Sequence, residues 1–327
     1  MAGYFVRRLF YIIPTVILIT IVGFIIMELP PGDYVTSWVI AQEVNGDTTA
    51  RDQAPALRER YGLDQPLPIR FFTWVSGFVR GEFGDSLVYR RPVRELIAER
   101  LVLTLILSTV AMFITWAIAI PLGIYSATHQ YSISDYILTA FAFLGLGMPA
   151  FVLALVFLVI GWQLQGQVPT GLFSEEFVDA SWSLAKFIDL LKHVWIPAAI
   201  VALSNTGGLM RMVRGNLLDQ LKMQYVQTSR AKGISERTVI WKHAVRNSLH
   251  PIVMSFGMTF PQILSGSAIV GVILNLPTTG PLLLQAFRTQ DVYLGGTLLV
   301  MVALMLVIGN FIADILLAVL DPRIRFE

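Results

Sequence analysis

The sequence predicts an all-α membrane protein with six transmembrane helices, and three observations carry that expectation. Of its 327 residues 55% are apolar and only 14% are charged, whereas a soluble domain carries about 25% charged residues because its surface must still face water. Six apolar stretches, near 9–29, 101–124, 136–162, 194–213, 252–274 and 294–320, reach the roughly 20 residues that a helix needs to cross a hydrocarbon core of about 30 Å. The basic residues are also segregated: positions 211–250 carry eight Lys/Arg against two acids, a net of +6, while 30–99 and 163–193 each have a net of −2.

The first stretch follows Arg7 and Arg8. It is longer than the 7–15 apolar residues of a cleaved signal peptide and no small-x-small site follows it, so a retained helix is expected. Pro14, Pro121, Pro149, Pro197 and Pro261 fall inside the stretches, as membrane helices allow where neighbours satisfy the freed backbone groups. Gly145-Leu146-Gly147-Met148-Pro149 should deform the third, for packing or for gating. Since Lys and Arg favour cytoplasmic loops, the +6 segment is expected inside. Six spans then bring both termini to the cytoplasm, in agreement with Arg323 and Arg325 at the far end.

This gives an expected division into a first helix (1–29), an extracytoplasmic insertion (30–99), a permeation domain (100–320) containing a cytoplasmic loop (214–250), and a short cytoplasmic tail (321–327). The insertion exceeds an ordinary connection. Within it, Pro55 to Gly62 reads as a helix ended by its glycine, and Phe71-Phe72-Thr73-Trp74 as an aromatic run suited to a membrane interface.

Several kinds of chemistry are excluded or disfavoured. There is no cysteine, hence no disulfide framework and no thiolate nucleophile or ligand. No Gly-Lys pair occurs, so a phosphate-binding loop of the G-x-x-x-x-G-K-[ST] type is absent. His243 and His250 make no zinc motif, and no metal site is expected. A net charge of +2 gives no reason to expect nucleic acid. An ion-driven transporter would show inverted repeats and midplane acids, but Glu28 and Asp314 lie near span ends. Asp314 shares a helix face with Asn310 and reads as a packing pair. No catalytic pair at membrane depth marks an intramembrane enzyme.

The cytoplasmic loop carries the strongest local signal. A helix over 225–232 should end at Gly233, the position after the C-cap where a left-handed backbone favours glycine. Ser235 can cap a second helix, with apolar spacing through Val239, Ile240 and Ala244 over 238–247. Such a hairpin suits a partner protein, and equally a basic element lying on anionic lipid.

Its text, Tyr225-Val226-Gln227-Thr228-Ser229-Arg230-Ala231-Lys232-Gly233 with Arg246-Asn247-Ser248-Leu249, resembles the Glu-Ala-Ala…Gly loop of ABC importer permeases. Further marks resemble the oligopeptide/dipeptide permease family: Pro30-Pro31-Gly32-Asp33, Tyr61-Gly62-Leu63-Asp64-Gln65-Pro66-Leu67, Arg80-Gly81-Glu82-Phe83-Gly84-Asp85-Ser86, Arg91-Pro92-Val93 with Glu95-Leu96-Ile97, and Leu320-Asp321-Pro322-Arg323-Ile324-Arg325. They run the length of the chain in family order. The resemblance implies a type I importer permease fold, the first of two permease subunits, working by alternating access in a bacterial or archaeal cytoplasmic membrane. The implied partners are a second homologous permease subunit, two ATPase subunits holding ATP and magnesium, an extracytoplasmic solute-binding protein and membrane lipid. This chain itself would bind no cofactor and catalyse nothing. Its coupling loop would be Gln227, Thr228, Ser229, Arg230, Ala231, Lys232, Gly233, Ile234 and Ser235, and the solute path would include Met148, Asn205, Gln262, Ser265 and Ser267. Gln227 stands where the family has an acid. Gly271, Tyr34 and Pro277-Thr278-Thr279-Gly280 also depart from the peptide-permease pattern, which leaves oligopeptides and short oligosaccharides as alternative solutes.

Overall fold

The computed structural model describes residues 2–47, 49–166, 170–253 and 268–320. Every regular element among them is a helix, apart from one extended bridge between Asp85 and Pro92. The chain begins with α1 (Ala2–Glu28), α2 (Tyr34–Val44), α3 (Ala50–Tyr61) and α4 (Leu67–Arg80). It continues through α5 (Val93–Thr128), α6 (Ile133–Gly147), α7 (Ala150–Gln165) and α8 (Leu184–Leu221). The short α9 (Gln224–Ala231), α10 (Glu236–Thr238), a π-helix (Val239–Val245) and α11 (Arg246–Ser248) follow. The last helices are α12 (Ala268–Ile273), α13 (Thr279–Arg288) and α14 (Val292–Leu320).

Three of these helices, α5, α8 and α14 up to Leu316, are long and apolar enough to cross a membrane. At 36 and 38 residues, α5 and α8 extend to about 54 and 57 Å, well beyond a hydrocarbon core. Pro121 and Pro197 are carried inside them without ending either helix. Large apolar side chains stay exposed on α1, α6 and α7, among them Leu18, Ile137, Leu144 and Val159, as a surface solvated by lipid requires. The third expected span is more than kinked. It is split into α6 and α7, which meet at 98°. The cause is local: Met148 precedes a proline and takes an extended backbone, ψ 114°, and Pro149 then starts α7. Residues 254–267, the centre of the expected fifth span, lie outside the described residues.

The chain forms two compact units. One comprises Met1–Leu103 with Thr278–Val307, the other Thr104–Pro277 with Ile308–Ile324. In the first, Phe24, Met27, Trp74, Val292 and Val300 form one core cluster, and Val93, Leu96, Ile97, Leu282, Ala286, Leu294 and Leu298 another. The aromatic run expected at an interface is divided: Trp74 is buried at 3% exposure, Phe71 is half-buried, and Phe72 and Thr73 are exposed. Helical spacing explains the correction, since Phe71, Trp74 and Phe78 fall on one face of α4 and pack edge-on against Phe24 and each other. The helix expected from Pro55 begins earlier, at Ala50, and ends as expected with Gly62 left-handed at φ 65°.

Two polar nodes hold this unit. Asp33 caps α2 by accepting from the Thr36 backbone N–H at 2.7 Å, and Arg58 donates to Asp33 at 2.8 Å and to the Thr36 hydroxyl at 3.0 Å. Burial would raise the Asp33 pKa, but the hydrogen bonds from Arg58 and Thr36 outweigh it and hold the carboxyl at about 2. At the second node, fully buried Asp291 accepts from the Ser86 hydroxyl at 2.6 Å and from the backbone N–H groups of Val88 and Leu294.

In the second unit α6 lies closely against α8. A Cβ on Gly207 of α8 would stand 2.2 Å from the Ala142 carbonyl oxygen, so this approach requires glycine. Near one end of these helices, Arg214 of α8 donates to Asp135 of α6 at 2.8 and 3.0 Å and to Ser126 of α5 at 3.0 Å. Ser126 also donates to Asp135.

Candidate functional site

The hairpin between α8 and the expected fifth span is built from α9 and the helix that begins at Glu236. α9 ends in two backbone bonds, Gly233 N–H to the Arg230 carbonyl at 2.9 Å and Ile234 N–H to the Ser229 carbonyl at 3.3 Å. Gly233 is left-handed at φ 72°. These are the two bonds of a Schellman terminus, with glycine where a Cβ would be strained. No other atom lies within 4 Å of a Cβ built on Gly233, so backbone strain rather than a clash opposes substitution there.

The inner face of the hairpin is bolted to the long helices. Val226, Val239, Ala244 and Val245 join Ile124 and Ala127 of α5 and Val213 and Leu217 of α8 in one buried cluster. Val226 is the buried residue of α9, at 0% exposure. Tyr225 adds a polar tie: its hydroxyl donates to Gln220 at 2.6 Å and accepts from Asn247 at 3.1 Å, linking the end of α8 to both arms of the hairpin. Arg214 carries the same end of α8 to α5 and α6 through Asp135. The hairpin is thus fixed to α5 and α8, and through Arg214 of α8 to α6.

The outer face has a single side-chain tie to α8 among the described residues, a long bond from the Gln227 amide to the Leu221 carbonyl at 3.5 Å. Gln227, Thr228, Arg230, Ala231, Lys232, Gly233, Ile234 and Ser235 are exposed and Ser229 is half-buried. Thr228 and Ser229 turn their hydroxyls back to the carbonyls of Gln224 and Tyr225 in their own helix, while Ile234 and Trp241 leave apolar surface bare. Arg230 and Glu236 form a paired fork across the glycine turn at 2.6 and 3.1 Å, and the guanidinium holds the Glu236 carboxyl below its ordinary pKa.

Two expectations about the second arm need correction. Ser235 occupies the N-cap position by its backbone, but its hydroxyl bonds to the Thr238 hydroxyl rather than to a backbone N–H. The helix expected over 238–247 is π-helical through Val239–Val245. Apolar spacing located the arm but cannot signal a π-turn, which is set by packing. Sequence reasoning also missed Tyr225 and Asp135 as ties. For Asp135 no local signal existed, since its partner is 79 residues away.

The expected path residues are not brought together by the described structure. Met148 is half-buried at the α6–α7 break. Asn205 is exposed and returns its amide to the Val201 carbonyl at 2.9 Å. Gln262, Ser265 and Ser267 lie outside the described residues. Among the described residues no cluster of three metal-capable side chains occurs.

Residues 119–326, which include the hairpin, match the family described as binding-protein-dependent transport system inner membrane component. Residues 1–108 match the N-terminal family of the same membrane components. The chain belongs to this family. It is the permease subunit of an ABC importer, a multi-pass inner-membrane transport protein. Similar proteins include the oligopeptide transport system permease protein AppB of Bacillus subtilis, 36% identical over the whole of both chains. A putative peptide permease protein of Brucella ovis is 33% identical over 99% of both, and the glutathione transport system permease protein GsiC of Salmonella choleraesuis is 30% identical over the whole of both. The permease family works with ATPases and solute-binding proteins. In this permease the hairpin turn is almost wholly exposed, while among the N-terminal motif residues Ser86, Val93, Leu96 and Ile97 are buried.

Proposed function

We propose that the Gln227–Ser235 turn docks on a partner ATPase and drives this permease between inward- and outward-facing states, and that the solute is a short peptide. The observation that carries the coupling reading is the two-faced hairpin: a rear face buried against α5 and α8, and an apex that exposes Ile234 beside a Schellman glycine. A hairpin lying on anionic lipid would keep its bases free, but the apex Arg230 is neutralised by Glu236. The full assembly on this reading is two homologous permease subunits, two ATPase subunits holding ATP and magnesium, and an external binding protein. Six spans place both termini and the hairpin in the cytoplasm and residues 30–99 outside. Met148, Asn205, Gln262, Ser265 and Ser267 are the proposed path residues. The peptide assignment is supported by the relatives named for oligopeptide, peptide and glutathione transport, which do not favour the oligosaccharide alternative.

The test is Gly233→Val. A β-branched residue at positive φ costs about 1–3 kcal/mol and would misplace Ile234, while the spanning helices are untouched. The expected result is normal insertion with lost uptake and lost ATPase co-purification. Wild-type uptake with stable assembly would remove the hairpin as the coupling element. For orientation, Val44→Cys should react with an impermeant thiol reagent in intact cells, and Lys232→Cys only after permeabilisation. The reverse pattern would invert the topology. Uptake of labelled dipeptide that an excess of unlabelled oligosaccharide abolishes would count against a peptide solute.

A further inference from the structure

A cavity of about 420 Å³ opens in the Met1–Leu103/Thr278–Val307 unit, and nothing in the coupling function uses it. Its volume falls in the range of about 300–1,000 Å³ typical of small-molecule sites. Arg60, Arg90, Glu82 and Asp85 all line it, with Tyr61 and Trp74 among its aromatic walls. All four are exposed, and none of them is in an ion pair among the described residues, so their charges stay available to an occupant of the cavity.

One further feature marks the site. Arg90 is held in the left-handed region at φ 53° by a turn in which its N–H donates to the Ser86 carbonyl at 2.9 Å, and Ser86 is anchored on Asp291. A non-glycine residue in that conformation is strained unless its surroundings fix it. The fold thus spends backbone energy to keep this guanidinium on the cavity wall.

We propose that the cavity binds a small zwitterion of amino-acid to short-peptide size. Its carboxylate pairs with Arg60 and Arg90, the donors that suit a planar anion best. Its ammonium faces Glu82 and Asp85. Its apolar body lies on Tyr61 and Trp74. The proposal stands on the cavity alone and does not depend on which solute crosses the pore or on the coupling role of the hairpin.

The test is equilibrium dialysis of tritiated alanyl-leucine against the purified complete permease–ATPase complex, without its binding protein. The expected result is one saturable site per copy of this chain. N-acetyl-alanyl-leucinamide, which lacks both charges, should bind at least about tenfold more weakly, as should alanyl-leucine to the Arg60→Gln, Arg90→Gln double variant, since a lost charge-assisted contact is worth about that factor. Gly233→Val, which should lose uptake and its ATPases, should still bind as the wild type does when its membrane subunits are dialysed without ATPases, which separates this proposal from the coupling reading. Equal binding of the blocked compound, full affinity in the double variant, or no saturable binding up to roughly 10 mM would overturn the proposal. So would binding that appears only when the solute-binding protein is added, because the cavity would then seat a segment of that partner.

Discussion

The Gln227–Ser235 hairpin and the Ser86–Asp291 node are both built from motif residues around a tight turn, but they treat their polar groups in opposite ways. At the node, Ser86 and Asp291 are almost wholly buried and every described bond runs inward. At the hairpin the backbone is satisfied by its own turn, and the side chains from Gln227 to Ser235 face outward apart from half-buried Ser229. The Ser86–Asp291 node thus serves the fold, whereas the outward side chains of the hairpin stay available to another chain. A family signature alone does not say which. Burial does, because a buried polar group without its partner costs free energy whereas an exposed one is available to another chain.

Substitutions can break or sharpen that contrast. The largest effect should come from Asp291→Ala, which leaves the Ser86 hydroxyl and the Val88 and Leu294 N–H groups without their acceptor at about 1–3 kcal/mol for each buried group. We expect loss of folded protein in fluorescence-detected size exclusion, and a wild-type elution profile would refute the structural role of the node. Gly233→Val should do the reverse, with normal yield and no uptake. Gly233→Asn sharpens the point. Asparagine adopts the left-handed conformation far more readily than valine, and space is open there, so uptake should recover to a large fraction of wild type. An inactive Asn variant would mean that the position senses size rather than φ.

A smaller effect separates the unit's other node. With Asp33 held at about 2 in the folded state, below the ordinary value near 3.9, the node's contribution is fully present above about pH 4 and lost as pH falls toward 2. Asp33→Asn should lower stability by about 1 kcal/mol at pH 7, a figure discounted for partial exposure. The deficit should vanish near pH 2 in denaturant melts, and a pH-independent deficit would show that the cap rather than the charge matters. The smallest effect belongs to Arg230→Gln. Its pairing with Glu236 is exposed, worth no more than about 1 kcal/mol, and the Schellman bonds hold the turn without it. Thermal stability should barely move, and a drop of many degrees would overturn that view.

Much of this molecule was legible in the chain. Apolar runs gave the long helices, because lipid demands satisfied backbone and apolar side chains over a fixed length. Gly233 announced its own conformation because positive φ is a local property. Less legible was anything set by distant partners. Trp74 reads as interfacial but is interior, because whether an aromatic face meets lipid or protein depends on what packs against α4.

The sequence by itself determined the helical membrane class, the charge asymmetry, the glycine-ended turn and the family, since each rests on composition or on residues close along the chain. Only the tertiary structure decided that the third span breaks at 98°, that Asp135 meets Arg214 across 79 residues, that the second arm of the hairpin winds as a π-helix, and that Arg60, Arg90, Glu82 and Asp85 share a cavity without pairing. Those outcomes depend on which helix faces meet, and packing energy between remote segments leaves no periodic trace in the text of either.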